Sequence, residues 1–204
     1  MYCAIIGDIN QSRALPERAK IQRKFQNAID IVNREYKEEI ASKFILTLGD
    51  EFQGLLHRAT ESYRLVRRFQ DIMVGVPFAF GIGIGSLATS LKKEALGMDG
   101  ECFHHAREAL QQAKKNKREV YFFFNDPFLP LVNTIVAILE KEWKLLNPKQ
   151  KKIAQLMKEI NRQQEVARKL NVTQQYISKV LRMTAMKEMK ELEQALYVFF
   201  SSIR

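Results

Sequence analysis

Phe44-Ile45-Leu46-Thr47-Leu48-Gly49-Asp50-Glu51-Phe52-Gln53-Gly54-Leu55-Leu56 is the stretch on which the fold class turns. Two apolar runs, residues 44–48 and 52–56, flank Gly49-Asp50-Glu51, and a Gly-Asp pair between such runs is a strong short-range hairpin signal. Upstream, residues 2–9 read as a buried strand, short and apolar, ended by Gly7-Asp8 and the polar Asn10-Gln11-Ser12-Arg13. A helix follows from about Pro16, with proline in its first turn and Ile21, Phe25, Ala28, Ile29 and Val32 at helical spacing. Downstream come a helix over 59–73, a strand over 78–84, a Gly97-Met98-Asp99-Gly100 turn, and a helix through Ala106, Ala109, Leu110 and Ala113. Residues 120–124 close the series as a strand. The order β-α-β-β-α-β-α-β predicts an α+β fold, a ferredoxin-like α/β sandwich with helices over one mainly antiparallel sheet.

After Asp126-Pro127 every remaining element reads as helical. Residues 128–146 are amphipathic, and Asn147-Pro148 marks a stop and a restart. The expected organisation is an α/β domain over 1–127, a connector helix over 128–146, and an all-α domain over 147–204.

Composition bounds the class. The 204 residues are 46% hydrophobic and 27% charged, which excludes collagen-like and wholly disordered chains. Cys3 and Cys102 are the two cysteines and form no CxxC, so neither a disulfide scaffold nor a zinc ribbon is expected, in keeping with a reducing cytosol. The start, Met1-Tyr2-Cys3-Ala4-Ile5-Ile6, has no basic n-region, and the most apolar window, 121–139, is broken by Asn125, Asp126, Pro127, Pro130 and Asn133. A cytoplasmic protein with no membrane insertion is the expectation.

Charge is uneven. The net charge is +10, and between 147 and 182 nine basic residues face only Glu159 and Glu165. Clustering of this kind is the footprint of a polyanion partner, although charge alone suits a solvated basic face as well. Spacing breaks the tie. Residues 164–182 look like a helix-turn-helix: Ala167 is small where two helices cross, Asn171 can take the left-handed turn, and Thr173 caps the second helix. Val172, Ile177, Val180 and Leu181 form the inward face. Gln174, Gln175, Tyr176 and Lys179 are left outward, where a recognition helix needs hydrogen-bonding groups, and Arg182, Arg168 and Lys169 are placed for phosphates. Double-stranded DNA is the expected partner.

Asp8 and Asp50 end two predicted strands. If those strands pair, both carboxylates meet at one edge of the sheet and suit Mg²⁺ or Mn²⁺ with a phosphate ligand; as plain turn formers they would carry no chemistry. Gly7-Asp8-Ile9, the segment 48–56, the glycine strand 80–86 and residues 97–110 together resemble class III nucleotidyl cyclase catalytic domains. The resemblance implies a cyclase-like fold in which Asp8, Asp50 and the Ile9 carbonyl hold the metal and Arg107 stabilises phosphate, as the catalytic arginine if the domain is active. Ser12 and Arg13 would join Arg107 in binding a nucleotide. The pattern departs at two positions, with Leu46 in place of the purine-reading lysine and Phe103 in place of the catalytic asparagine. With its helix-turn-helix, the whole chain is similar to the bacterial SatD family. The reading is therefore a DNA-binding, homodimeric regulator with a metal-nucleotide effector. An active nucleotidyl cyclase or related phosphotransferase is the alternative, and a purely structural dimeriser the third.

Other motifs fall away. Gly81, Gly83 and Gly85 do not make GxGxxG and read as positions of close approach. Cys102, His104 and His105 offer at most two ligands on one helix face.

Overall fold

The computed structural model describes residues 1–10, 18–47 and 50–203. They divide into two compact units, residues 1–134 with 197–204, and residues 135–196. Residues 197–204, grouped with the C-terminal helices by the sequence reading, belong to the first.

In the first unit the strands are β1 (Tyr2–Ile9), β2 (Ile40–Leu46), β3 (Glu51–Leu56), β4 (Phe78–Gly85) and β5 (Val120–Phe123), in sheet order β2-β3-β1-β4-β5. Every pairing is antiparallel except β4 with β5. Helices α1 (Arg18–Glu35), α2 (Ser62–Ile72) and α3 (Glu101–Lys115) complete the expected element order. The unit is a mixed α+β fold.

The two-residue period of a strand sends alternate side chains to opposite faces. Ala4, Ile6, Leu55 and Ala79 therefore pack with Cys102, Phe103, Ala106 and Leu110 of α3. The opposite face builds an aromatic cluster: Phe52 of β3 stacks on Phe69 of α2 at 4.6 Å between ring centroids, and Phe25 of α1 stands edge-on to both at 5.5 and 5.8 Å.

On each outer strand one residue's outward peptide groups are answered by an asparagine amide. On β2 the Phe44 N–H donates to Asn33 Oδ1 and Asn33 Nδ2 donates to the Phe44 carbonyl, each at 2.9 Å. On β5 the Phe122 N–H donates to Asn133 Oδ1 at 2.8 Å and Asn133 Nδ2 returns to its carbonyl at 3.0 Å. An edge so paired offers a shorter template for another chain. Phe200 stacks on Phe122 at 5.0 Å, and Phe199 packs on Phe124 and Phe128, which is why the chain's last turns belong to the sheet unit.

The remaining helices are α4 (Leu129–Leu145), α5 (Pro148–Ile160), α6 (Gln163–Lys169), α7 (Gln174–Met183) and α8 (Met186–Ser202). Asn147 opens α5 with a capping box to Gln150, and Pro148 takes its first position. In the second unit Ile153, Leu156, Val166, Ala167, Ile177 and Val180 form the core. Among the described residues no helix is long and apolar enough to cross a membrane.

Candidate functional site

Register decides which carboxylates meet. Antiparallel pairing sets Asp8 of β1 opposite Glu51 of β3, and directly opposed residues share a face. Asp50 lies one position out, where its carbonyl accepts the Ile9 N–H at 3.1 Å. The face shared by Asp8 and Glu51 is the one α3 covers, because Ile6 and Ala4 on the same side of β1 pack beneath that helix.

Two neighbouring carboxylates repel unless cations lie between or beside them. Here α3 supplies both cations. The Lys114 ammonium donates to Asp8 Oδ2, and Arg107 Nη1 donates to Glu51 Oε2 at 2.5 Å. Thr47 Oγ1 adds a bond to Glu51 Oε1 at 3.3 Å. Arg107 and Lys114 are seven residues apart, two helical turns, and so lie on one face. The Asp8 and Glu51 side chains are 16% and 18% exposed, while Lys114 and Arg107 are 43% and 47% exposed. The carboxylates are thus sunk and the cations reach in from the rim.

Of the sequence candidates, Asp8, Ile9 and Asp50 come together at one end of the β1–β3 ladder, and Arg107 reaches Glu51 of that ladder. Ser12 and Arg13 lie outside the described residues. Sequence reasoning missed Glu51 and Lys114. The signals were present: Glu51 adjoins Asp50 in the hairpin, and Lys114 repeats the Arg107 position two turns on. Phe103 is buried against the sheet and Leu46 is half-buried in the hairpin. Neither side chain can hydrogen-bond a base or ribose.

The glycine strand is explained by α3. A Cβ on Gly81 would lie 2.1 Å from the Ala106 carbonyl oxygen, and one on Gly83 would lie 2.1 Å from the Ala106 amide nitrogen. Helix backbone, rather than a ligand, makes the close approach. Cys102 is buried, His104 pairs with Asp99 at 3.0 Å, and His105 Nδ1 donates to the Ile84 carbonyl at 2.7 Å, so the three do not converge. Burial pushes the Cys102 thiol up to about 11 and the Cys3 thiol well above its usual range.

Among the described residues no three His, Cys, Asp or Glu side chains gather as a metal cluster. The oxygen donors of Asp8, Asp50 and the Ile9 carbonyl nonetheless suit a hard cation. Magnesium commonly uses one or two carboxylates and leaves the rest of its shell to water and substrate phosphates. Lys114 would have to leave Asp8 to admit it.

In the second unit α6 and α7 are joined by a short turn. Asn171 takes the left-handed conformation there, with φ 52°. Thr173 caps α7, its hydroxyl accepting the Tyr176 N–H at 3.2 Å. Val166 and Ala167 of α6 are buried with Ile177 and Val180 of α7. Thr173, Gln174, Gln175, Lys179, Arg182, Arg168 and Lys169 are all exposed. Tyr176 differs from the outward expectation: it is half-buried against the core, with the Lys149 ammonium 4.6 Å from its ring centroid.

The SatD family model matches residues 2–124, and the chain belongs to the SatD family. No curated protein matches it closely enough to count as a relative. Among solved structures, an EAL/GGDEF domain protein from M. capsulatus is similar at 17% identity and TM-score 0.43, over 60% of this chain and 84% of that one. A bacterial light-regulated adenylyl cyclase gives 15% and 0.39, over 59% and 74% of the two chains. The catalytic core of a rhodopsin-guanylyl cyclase with converted specificity, in complex with ATPαS, gives 13% and 0.37, over 54% and 71%. At these TM-scores nothing further follows from them for this chain.

Proposed function

We propose that the chain is a double-stranded-DNA-binding, regulator-like SatD protein whose α+β unit binds a divalent metal with a nucleotide. The observation that carries the DNA reading is the exposed α7 face. Gln174 and Gln175 stand free at the end of α7 that enters the major groove in helix-turn-helix proteins. Lys179 and Arg182 follow one and two turns on, with Arg168 and Lys169 exposed on α6. Nine basic residues against two glutamates between 147 and 182 supply the field.

In the α+β unit Asp8, Asp50 and the Ile9 carbonyl would hold Mg²⁺ or Mn²⁺, which would neutralise the nucleotide's phosphates. Arg107 and Lys114 would exchange their carboxylate partners for those phosphates, and Ser12 and Arg13 are assigned to the same ligand. The alternative, an active cyclase or phosphotransferase, is favoured by these same metal-binding groups and weakened by Leu46 and Phe103.

Fluorescence anisotropy with mixed genomic duplex tests the main reading. Gln174→Ala or Gln175→Ala should lose preference among sequences, worth about 1–3 kcal/mol per bidentate contact, while keeping non-specific affinity. Lys179→Ala or Arg168→Ala should weaken all duplexes alike and flatten the log–log salt slope by about 0.9 per lost phosphate contact. No binding at roughly 50 mM salt rejects the DNA role. Product formation from a nucleoside triphosphate, lost in Asp8→Ala, would establish the enzyme instead.

A further inference from the structure

We propose that the second unit contains a binding site for an amphipathic organic carboxylate, a molecule with a hydrocarbon body and one anionic end. A cavity of about 330 Å³ opens among residues of α4, α5, α7 and α8 within 135–196. Small-ligand sites occupy about 300–1,000 Å³. Its apolar wall includes Trp143, Met157, Leu181, Met186 and Met189. Methionines are unbranched and polarizable, so three of them beside an indole can mould to a flexible hydrocarbon chain.

The charged groups select the other end of the ligand. Lys158, Arg182, Lys187 and Lys190 line the cavity against one carboxylate, Glu193. Three of the cations are engaged: Lys158 holds Glu193 at 2.7 Å, Lys190 donates to Asn161 Oδ1 at 3.0 Å, and Lys187 faces Glu191 at 3.8 Å. Arg182 has no hydrogen bond or ion pair among the described residues. A guanidinium presents a planar fork that fits a carboxylate through two parallel hydrogen bonds. The excess positive charge turns away cations, and a neutral hydrocarbon would leave Arg182 unused. Apolar walls with one open guanidinium therefore select a carboxylate with a hydrocarbon tail.

Trp143 is the only tryptophan in the chain and lies in the cavity wall, so its fluorescence reads occupancy directly. The full-length protein is titrated with decanoate below its micelle concentration, and with 1-decanol and acetate as partial mimics. Decanoate should give a saturable change. Its half-saturation concentration should rise about tenfold or more in Arg182→Gln, the loss expected for a charge-assisted bond. Decanol should bind weaker by a similar factor, and acetate should not saturate. Arg182 is exposed, so the variant keeps the fold, which circular dichroism checks. The proposal is overturned if decanoate gives no saturable change, if decanol or acetate matches it, or if Arg182→Gln titrates like wild type. The titration contains no nucleic acid, so its outcome is separate from that of the DNA reading.

Discussion

Alanine at Gly83 should unseat α3 from the sheet. The added Cβ would fall 2.1 Å from the Ala106 nitrogen and 2.2 Å from the Cys102 carbonyl oxygen, where ordinary contact begins at 3.4 Å. Both obstacles are helix backbone, so no rotamer change relieves them, and helix and strand must part by roughly 1 Å. A gap of that size forfeits up to about half of each dispersion contact across the interface. Overpacking a core costs about 1–3 kcal/mol, and a backbone obstacle puts this site near the upper end, about 3 kcal/mol. With a urea slope of about 2 kcal/mol/M, the midpoint should fall by about 1.5 M. Gly54→Ala is the internal control. There the Cβ meets the Phe44 ring at 2.2 Å, a side chain that can be trimmed, so adding Phe44→Leu should recover part of the loss. No side-chain truncation on α3 should rescue Gly83→Ala. Urea unfolding followed by far-UV circular dichroism reads both series. A Gly83→Ala midpoint within about 0.3 M of wild type, or its rescue by Cys102→Ala, would refute the close-contact reasoning.

The remaining predictions concern the sites and the caps. Millimolar nucleoside triphosphate with Mn²⁺ should raise the melting temperature of wild type by mass action, and equal shifts in the Asp8→Ala, Asp50→Ala double variant would remove the metal-nucleotide role. The chain should sediment as a dimer: Leu131, Ile138 and Leu145 recur every seven residues on α4 and are exposed. A ~24 kDa species alone at micromolar concentration would reject this. The Arg68 guanidinium, held by Glu35 through two 2.8 Å bonds, keeps the Glu35 carboxyl below its usual 4.5. A depressed folded value means that the pair's contribution is complete above that pH and is lost as pH falls through the folded value. Both side chains are about 40% exposed, so Glu35→Gln should cost only about 0.5 kcal/mol at neutral pH, with the gap to wild type closing below pH 4.5 in denaturant titrations. Thr173→Ala removes the α7 cap and should cost about 1 kcal/mol in urea unfolding of the full chain.

By itself the sequence determined the elements and their order, because strand and helix periodicity, turn residues and caps are local properties. The pairing of β2 with β3, the Asn147-Pro148 restart, the left-handed Asn171 and the Thr173 cap could all be read from neighbours within a few residues. It also placed the basic excess between 147 and 182, since charge needs only counting. Tertiary structure alone decided which carboxylate stands beside Asp8. A shift of one residue in register exchanges the faces of a strand, and pairing in this register puts Glu51, rather than Asp50, opposite. Lys114 entered the cluster for the same kind of reason: only the seating of α3 on β4, possible because Gly81 and Gly83 have no Cβ, carries a residue 106 positions away to Asp8. Likewise, the return of Phe199 and Phe200 to the sheet and the cavity beside Trp143 depend on contacts between distant segments, which no local pattern encodes.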